Sequence, residues 1–144
     1  MLISAGIGES AGYNLVLPMP RILSISRNRR LLASRNDALA VAGYSVSSPK
    51  EPLDGIEHFA RSQFDAVIIG HSVEPALRTQ LIERLRQLQH TVPIVFVHDP
   101  GKEGEVLANV TVDTAQDPLA LIAALDRLLD RTSSPPLPER KPGG

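Results

Sequence analysis

The sequence predicts a doubly wound α/β domain, a parallel sheet with helices on both faces. Three observations predict it. First, Phe64-Asp65-Ala66-Val67-Ile68-Ile69-Gly70-His71 is a short β-branched run entered by an acidic residue and closed by glycine, as a buried central strand is. Second, Leu77, Leu81, Leu85 and Leu88 recur at spacings of 4, 4 and 3, an apolar helical stripe soon after that strand. Third, strand-like and helix-like segments alternate, which favours parallel strands joined by right-handed crossovers. In such folds the chemistry sits just past the carboxyl ends of the strands, here at Gly70 and His71.

Residues 1–20 contain three glycines and two prolines and hold no period. They read as a disordered extension, or as residues ahead of a start at Met19, with a docked extra strand as the alternative. Arg21 to Ile25 reads as a first strand. Asn28 to Ala42 reads as a helix with Leu31, Leu32, Ala38, Leu39 and Ala42 near one face, ended by Gly43. Tyr44 to Val46 gives a second strand. A helix is expected from Glu51 to Arg61 with Pro52 in its first turn and Leu53, Ile56, Phe59 and Ala60 inward. After the central strand comes a helix from Glu74 to Gln89. Pro93 to Val97 and Asn109 to Val112 supply two more strands. Asp117 and Pro118 open a last helix as N-cap and first helical residue, burying Leu121, Ile122, Leu125, Leu128 and Leu129. Residues 21–132 therefore form one domain, and the Pro-rich run over 133–144 reads as a disordered tail, with a Pro-rich ligand as the alternative.

With 144 residues the chain can bury one core without disulfides, and it has no cysteine for thiolate metal sites. A net charge of −1 gives no global field toward nucleic acid or an anionic membrane. No apolar stretch approaches the length of a spanning helix and no basic region precedes the first apolar residues, so the expectation is a cytoplasmic protein without membrane or nucleic-acid partners.

In the order of its elements the chain resembles the receiver domain of two-component response regulators, over about Arg21 to Arg131. The resemblance is carried by Arg21-Ile22-Leu23-Ser24-Ile25, Ala42-Gly43-Tyr44-Ser45-Val46, Phe64-Asp65-Ala66-Val67-Ile68-Ile69, Pro93-Ile94-Val95-Phe96-Val97 and Asp117-Pro118. It implies a flavodoxin-like, five-stranded sheet of order 2-1-3-4-5. It also implies a phosphoacceptor Asp after the third strand, an acidic pair holding Mg²⁺ after the first, a Ser or Thr after the fourth and a Lys after the fifth. The carboxylate attacks, and the cations neutralise charge spreading over the phosphoryl oxygens.

At those positions this sequence has Gly70 for the acceptor, Ser26 and Arg27 for the acidic pair, His98 for the Ser or Thr, and Thr114 for the Lys; Ala115 replaces the family's Pro. Glycine has no nucleophile, and an arginine places a fixed cation where the metal would sit. The reading is a degenerate, pseudo-receiver type, not an enzyme and with no cofactor or metal. Thr111 replaces the fifth-strand aromatic that relays activation in the family. Only Asp99 to Ala108, with two glycines, lies where the family places a fourth helix, so that helix is expected to be shortened to little more than a turn. Phe96 and Val110 should then be partly uncovered, and the face around Leu107 and Val110 becomes the candidate interface for a signalling partner (histidine kinase, regulator or output protein) or a second copy.

Other residues carry weaker signals. His71 and His98 end adjacent strands with Asp99 alongside, a thinkable metal set, though loop histidines are the plainer reading. Arg27, Arg29, Arg30 and Arg35 surround the start of the first helix and read as a solvated face. The competing function is a small-anion or nucleotide sensor on the edge formed by Arg27, His71 and His98. His58 and His90 read as surface residues.

Overall fold

The computed structural model describes residues 19–98, 105, 107–112 and 118–130. Its elements are β1 (Arg21–Ile25), α1 (Arg29–Val41), β2 (Ser45–Ser47), α2 (Asp54–Arg61), β3 (Ala66–Gly70), α3 (Pro75–Leu88), β4 (Ile94–Val97), β5 (Val110–Val112) and α4 (Pro118–Leu128). All pairings are parallel, in the order β2-β1-β3-β4-β5, as expected from the sequence.

Alternation of side chains along each strand divides the core between the two faces of the sheet. One face packs Leu23, Ile25, Val67, Ile69 and Ile94 against Phe59 of α2 and Leu81 and Leu85 of α3. The other packs Ile22, Ile68, Val95, Val97 and Val112 against Leu39 of α1 and Leu121 and Leu125 of α4. Because β3 is covered on both faces, all five of its residues are buried, which is why it reads as a continuous apolar run.

Local chemistry fixes the ends of elements. Asn28 caps α1 by accepting the Leu31 N–H at 3.0 Å. At the other end Gly43 takes φ 99°, and Tyr44 N–H to Leu39 O with Gly43 N–H to Ala40 O closes the helix by a glycine-dependent motif. Asp65 accepts the Arg21 N–H at 2.7 Å, tying the start of β1 to the entry of β3, and the Arg21 guanidinium lies over the Phe64 ring. Tyr44 donates to Asp126, joining the α1–β2 corner to α4.

Several expectations are corrected. The second strand runs one residue later than expected. α2 begins at Asp54, with Pro52 in the turn before it; Leu53 is 44% exposed and Ala60 is also exposed, so Phe59 and Ile56 carry the inward face. In α3 the buried set is Leu81, Ile82 and Leu85; Ile82 turns the stripe inward, and Leu88, the last helical residue, is 50% exposed. In α1 Leu32, Arg35 and Leu39 are buried, so Arg35 is not on a solvated face. Phe96 is only 2% exposed, although no helix is present among the described residues between β4 and β5. The Arg78 guanidinium covers it, 4.2 Å from the ring centroid. Val110 is half-buried and packs against the opposite face, beside α4. The expectations for residues 1–18 and 133–144 lie outside the described residues, and no described helix is long and apolar enough to cross a membrane.

Candidate functional site

The carboxyl ends of β1 and β3 are held together by hydroxyls. Ser26 and Ser72 share a hydrogen bond at 2.9 Å. Ser72 Oγ accepts the N–H of Arg27 at 2.8 Å and of Asn28 at 3.2 Å, and Ser26 Oγ accepts the N–H of Asn28 at 3.1 Å. The backbone donors of the first loop, which open α1, are thus satisfied from within the chain.

Arg27 points outward. Its Nε donates to Glu74 at 2.8 Å and its Nη1 lies 3.4 Å from Glu51. The Glu74 hydrogen bond raises the Arg27 pKa further and holds the Glu74 carboxyl below its ordinary value. The cation of the expected anion edge is therefore already met by two carboxylates.

His98 is 5% exposed, its ring stacked on Phe96 with centroids 5.6 Å apart, and its backbone N–H donates to Val112 O. His71 is half-buried, one residue past Gly70, whose β4 neighbour is Val97; each histidine directly follows one member of that last register pair. No group of three or more metal-ligating side chains occurs among the described residues, and Asp99, Thr114 and Ala115 lie outside them.

Sequence reasoning missed a buried cation beside Gly70. The Arg35 side chain rises from α1 onto the sheet, donates from Nη1 to Ser24 Oγ at 3.4 Å and is 5% exposed. Its Nη2 lies 3.1 Å from the point where a Cβ on Gly70 would stand, and Ser26 Oγ lies 3.2 Å from that point. Burial pushes the Arg35 pKa down to about 10, with no carboxylate contributing, so the group remains charged at neutral pH. The signal was present in the spacing: Leu32, Arg35 and Leu39 lie 3 and 4 apart on the buried stripe, and Ser24 interrupts an apolar strand on the same side. A second missed group is the Arg78–Glu105 pair at 2.7 Å, with side chains 11% and 8% exposed, which holds the β4–β5 connection against α3.

Chemically, the described part of the pocket has no carboxylate to accept a phosphoryl group or bind a divalent cation. It has hydroxyls and one buried guanidinium.

No protein-family model matches the chain, and no curated protein matches it in sequence. Solved structures do match. A putative response regulator from Chloroflexus aurantiacus superposes with TM-score 0.71 at 20% identity, over 79% of this chain and 100% of that one. A CheY-like receiver domain protein from Methanospirillum hungatei gives 0.69 at 18%, over 79% and 96%. The chemotaxis protein CheY4 of Vibrio cholerae gives 0.68 at 16%, over 77% and 99%. At these identities the likeness establishes the receiver fold; the chemistry has to be read from the residues themselves.

Proposed function

We propose that this chain is an atypical receiver-like domain of bacterial signal transduction, working in the cytoplasm by binding another protein independently of phosphorylation. The observation that supports the reading is the Arg35 guanidinium against Gly70: its Nη2 lies 3.1 Å from where a Cβ would stand on residue 70, the position matched to the family's acceptor. Ser26 and Arg27 add no metal-binding carboxylate, and Arg27 is engaged by Glu74 and Glu51. A domain built this way retains the receiver scaffold and loses its phosphoryl switch, so its output rests on surfaces that are permanently formed. The contact surface is the shortened connection before β5. Leu107, 38% exposed, lines with Ile82, Glu83, Arg86, Gln87 and His90 a groove of about 310 Å³ beside α3. The partner is a signalling protein such as a kinase, regulator or output domain; self-association is the other outcome of the test.

The test has two parts. Incubation with acetyl phosphate and Mg²⁺ is expected to leave the intact mass unchanged, and capture of a partner from the protein's own cells is expected to proceed equally with and without the phosphodonor. A hydroxylamine-labile phosphoryl adduct, or capture that requires the phosphodonor, would overturn the reading.

A further inference from the structure

We infer that the groove beside α3 takes an acidic segment of the partner protein, seating an Asp or Glu carboxylate on the Arg86 guanidinium and a neighbouring aliphatic side chain on Ile82 and Leu107. This rests on the reading of the same groove as the contact surface, and it adds the chemistry of what binds there.

A cavity and an under-paired cation coincide here. The groove of about 310 Å³ is lined by Arg86 together with Ile82, Glu83, Gln87, His90 and Leu107. Arg86 is held at one end only: its Nη2 donates to Asn109 Oδ1 at 2.7 Å, and that neutral oxygen also accepts the Ile94 N–H at 2.8 Å. Its Nε is buried with no hydrogen-bond partner. Its Nη1, neither buried nor bonded among the described residues, is the end open to a ligand. Arg27, Arg61 and Arg78 each meet a carboxylate, and Arg86 meets none among the described residues. Arg29, Arg30 and Arg84 also lack one, but they are exposed, where water screens the charge, whereas Arg86 is half-buried. A donor withdrawn from water without an acceptor costs free energy, and the strongest acceptor for a guanidinium is a carboxylate. Glu83, the one carboxylate of the lining, is exposed and forms no ion pair with Arg86. Beside the cation, Ile82 and the 38% exposed Leu107 give an apolar floor. A wholly apolar occupant would leave Arg86 unpaired and a basic one would be repelled, so complementarity selects an acidic residue next to an aliphatic one.

The full chain is titrated with two short end-blocked peptides, one alternating Glu and Leu and the other alternating Gln and Leu, and binding is followed by NMR shifts of the Ile82, Arg86, Gln87 and Leu107 amides. The acidic peptide is expected to shift these amides and to bind about tenfold more tightly than its neutral counterpart, the effect of one charge-assisted hydrogen bond. Arg86→Gln is expected to bring the acidic peptide down to the level of the neutral one, and Arg86→Lys to restore part of the difference. Arg84→Gln, which removes an exposed charge from the same helix, is expected to keep it. The comparison of the two peptides on the wild type stands even if an Arg86 variant fails to fold. Equal binding of both peptides at the groove overturns the acidic assignment and leaves the contact surface standing. Absence of shifts at the groove, or a preference that Arg84→Gln removes as fully as Arg86→Gln does, overturns the inference. So does self-association of the free chain that Arg86→Gln abolishes, because the occupant is then a second copy. Independence from phosphorylation is read separately, by capture with and without the phosphodonor, so its failure is distinguishable from failure here.

Discussion

Arg35 and Gly70 are sterically matched: the guanidinium Nη2 stands 3.1 Å from where a Cβ on residue 70 would lie. Even an alanine at 70 would require the arginine to move by a few tenths of an ångström. Ser24 and Ser26, both buried and small, complete the space on β1 and beyond its end. A side chain at residue 70 and the Arg35 guanidinium therefore compete for one space.

Arg35 should be replaceable by an apolar residue of similar length. Exchanging buried ions for well-packed apolar groups is often neutral or stabilising, by about 1–4 kcal/mol, whereas truncation also removes the buried aliphatic stem. Urea unfolding is expected to show Arg35→Met at least as stable as the wild type and Arg35→Ala less stable by about 2 kcal/mol. Equal destabilisation by both variants would mean that the guanidinium is fully compensated.

This residue also marks where sequence legibility stops. The bounds of β1 match the expectation to the residue, and those of β3 nearly so, because strands buried on both faces are dominated by Ile, Leu and Val, a pattern that depends on little else. Arg35 lay on the correct stripe, but residue type argued for solvent, and only the combination of Ser24, Ser26 and Gly70 makes room for it. The cover over Phe96 was misjudged for a similar reason. The expectation counted helix length, while the structure uses one cation on α3 and a carboxylate 27 residues later.

The Arg27–Glu74 pair gives a pH signature of known sign. Hydrogen bonding to Arg27 depresses the folded-state Glu74 pKa below its ordinary value of 4.5, so the unfolded chain binds more protons in that window. The contribution is fully present above the ordinary carboxylate value and is lost as pH falls through the folded one. Glu74→Gln should therefore be slightly less stable than the wild type at neutral pH, with the difference vanishing in acid and shrinking with salt. A difference that grows on acidification would reverse the assignment.

The Arg78–Glu105 pair is buried on both sides, so breaking it costs more than an exposed pair does. Glu105→Gln leaves a desolvated guanidinium over Phe96 and weakens the tie between α3 and the chain entering β5. A loss of about 3 kcal/mol is expected in urea unfolding, together with faster amide exchange at Leu107 and Ala108. A loss within the range of surface pairs, under about 1 kcal/mol, would show that water satisfies Arg78.

Leu107 and Val110 separate interface from core. Both stand near the short connection before β5, yet Leu107 is 38% exposed beside the α3 groove, while Val110 is half-buried and packs into the cluster with α4. A charge at Leu107 meets solvent and should leave unfolding within about 0.5 kcal/mol of the wild type. A charge at Val110 must be desolvated against Val95 and Val112, and it should destabilise the fold by several kcal/mol. If the groove beside α3 is the contact surface, Leu107→Glu stays folded and loses partner capture or self-association, because burial of apolar area contributes about 25 cal/mol per Å² and a charge there reverses the sign. Circular dichroism with urea titration measures the folding, and size-exclusion chromatography with pull-down measures the association. A folded Leu107→Glu that associates as the wild type does would place the contact elsewhere on the domain.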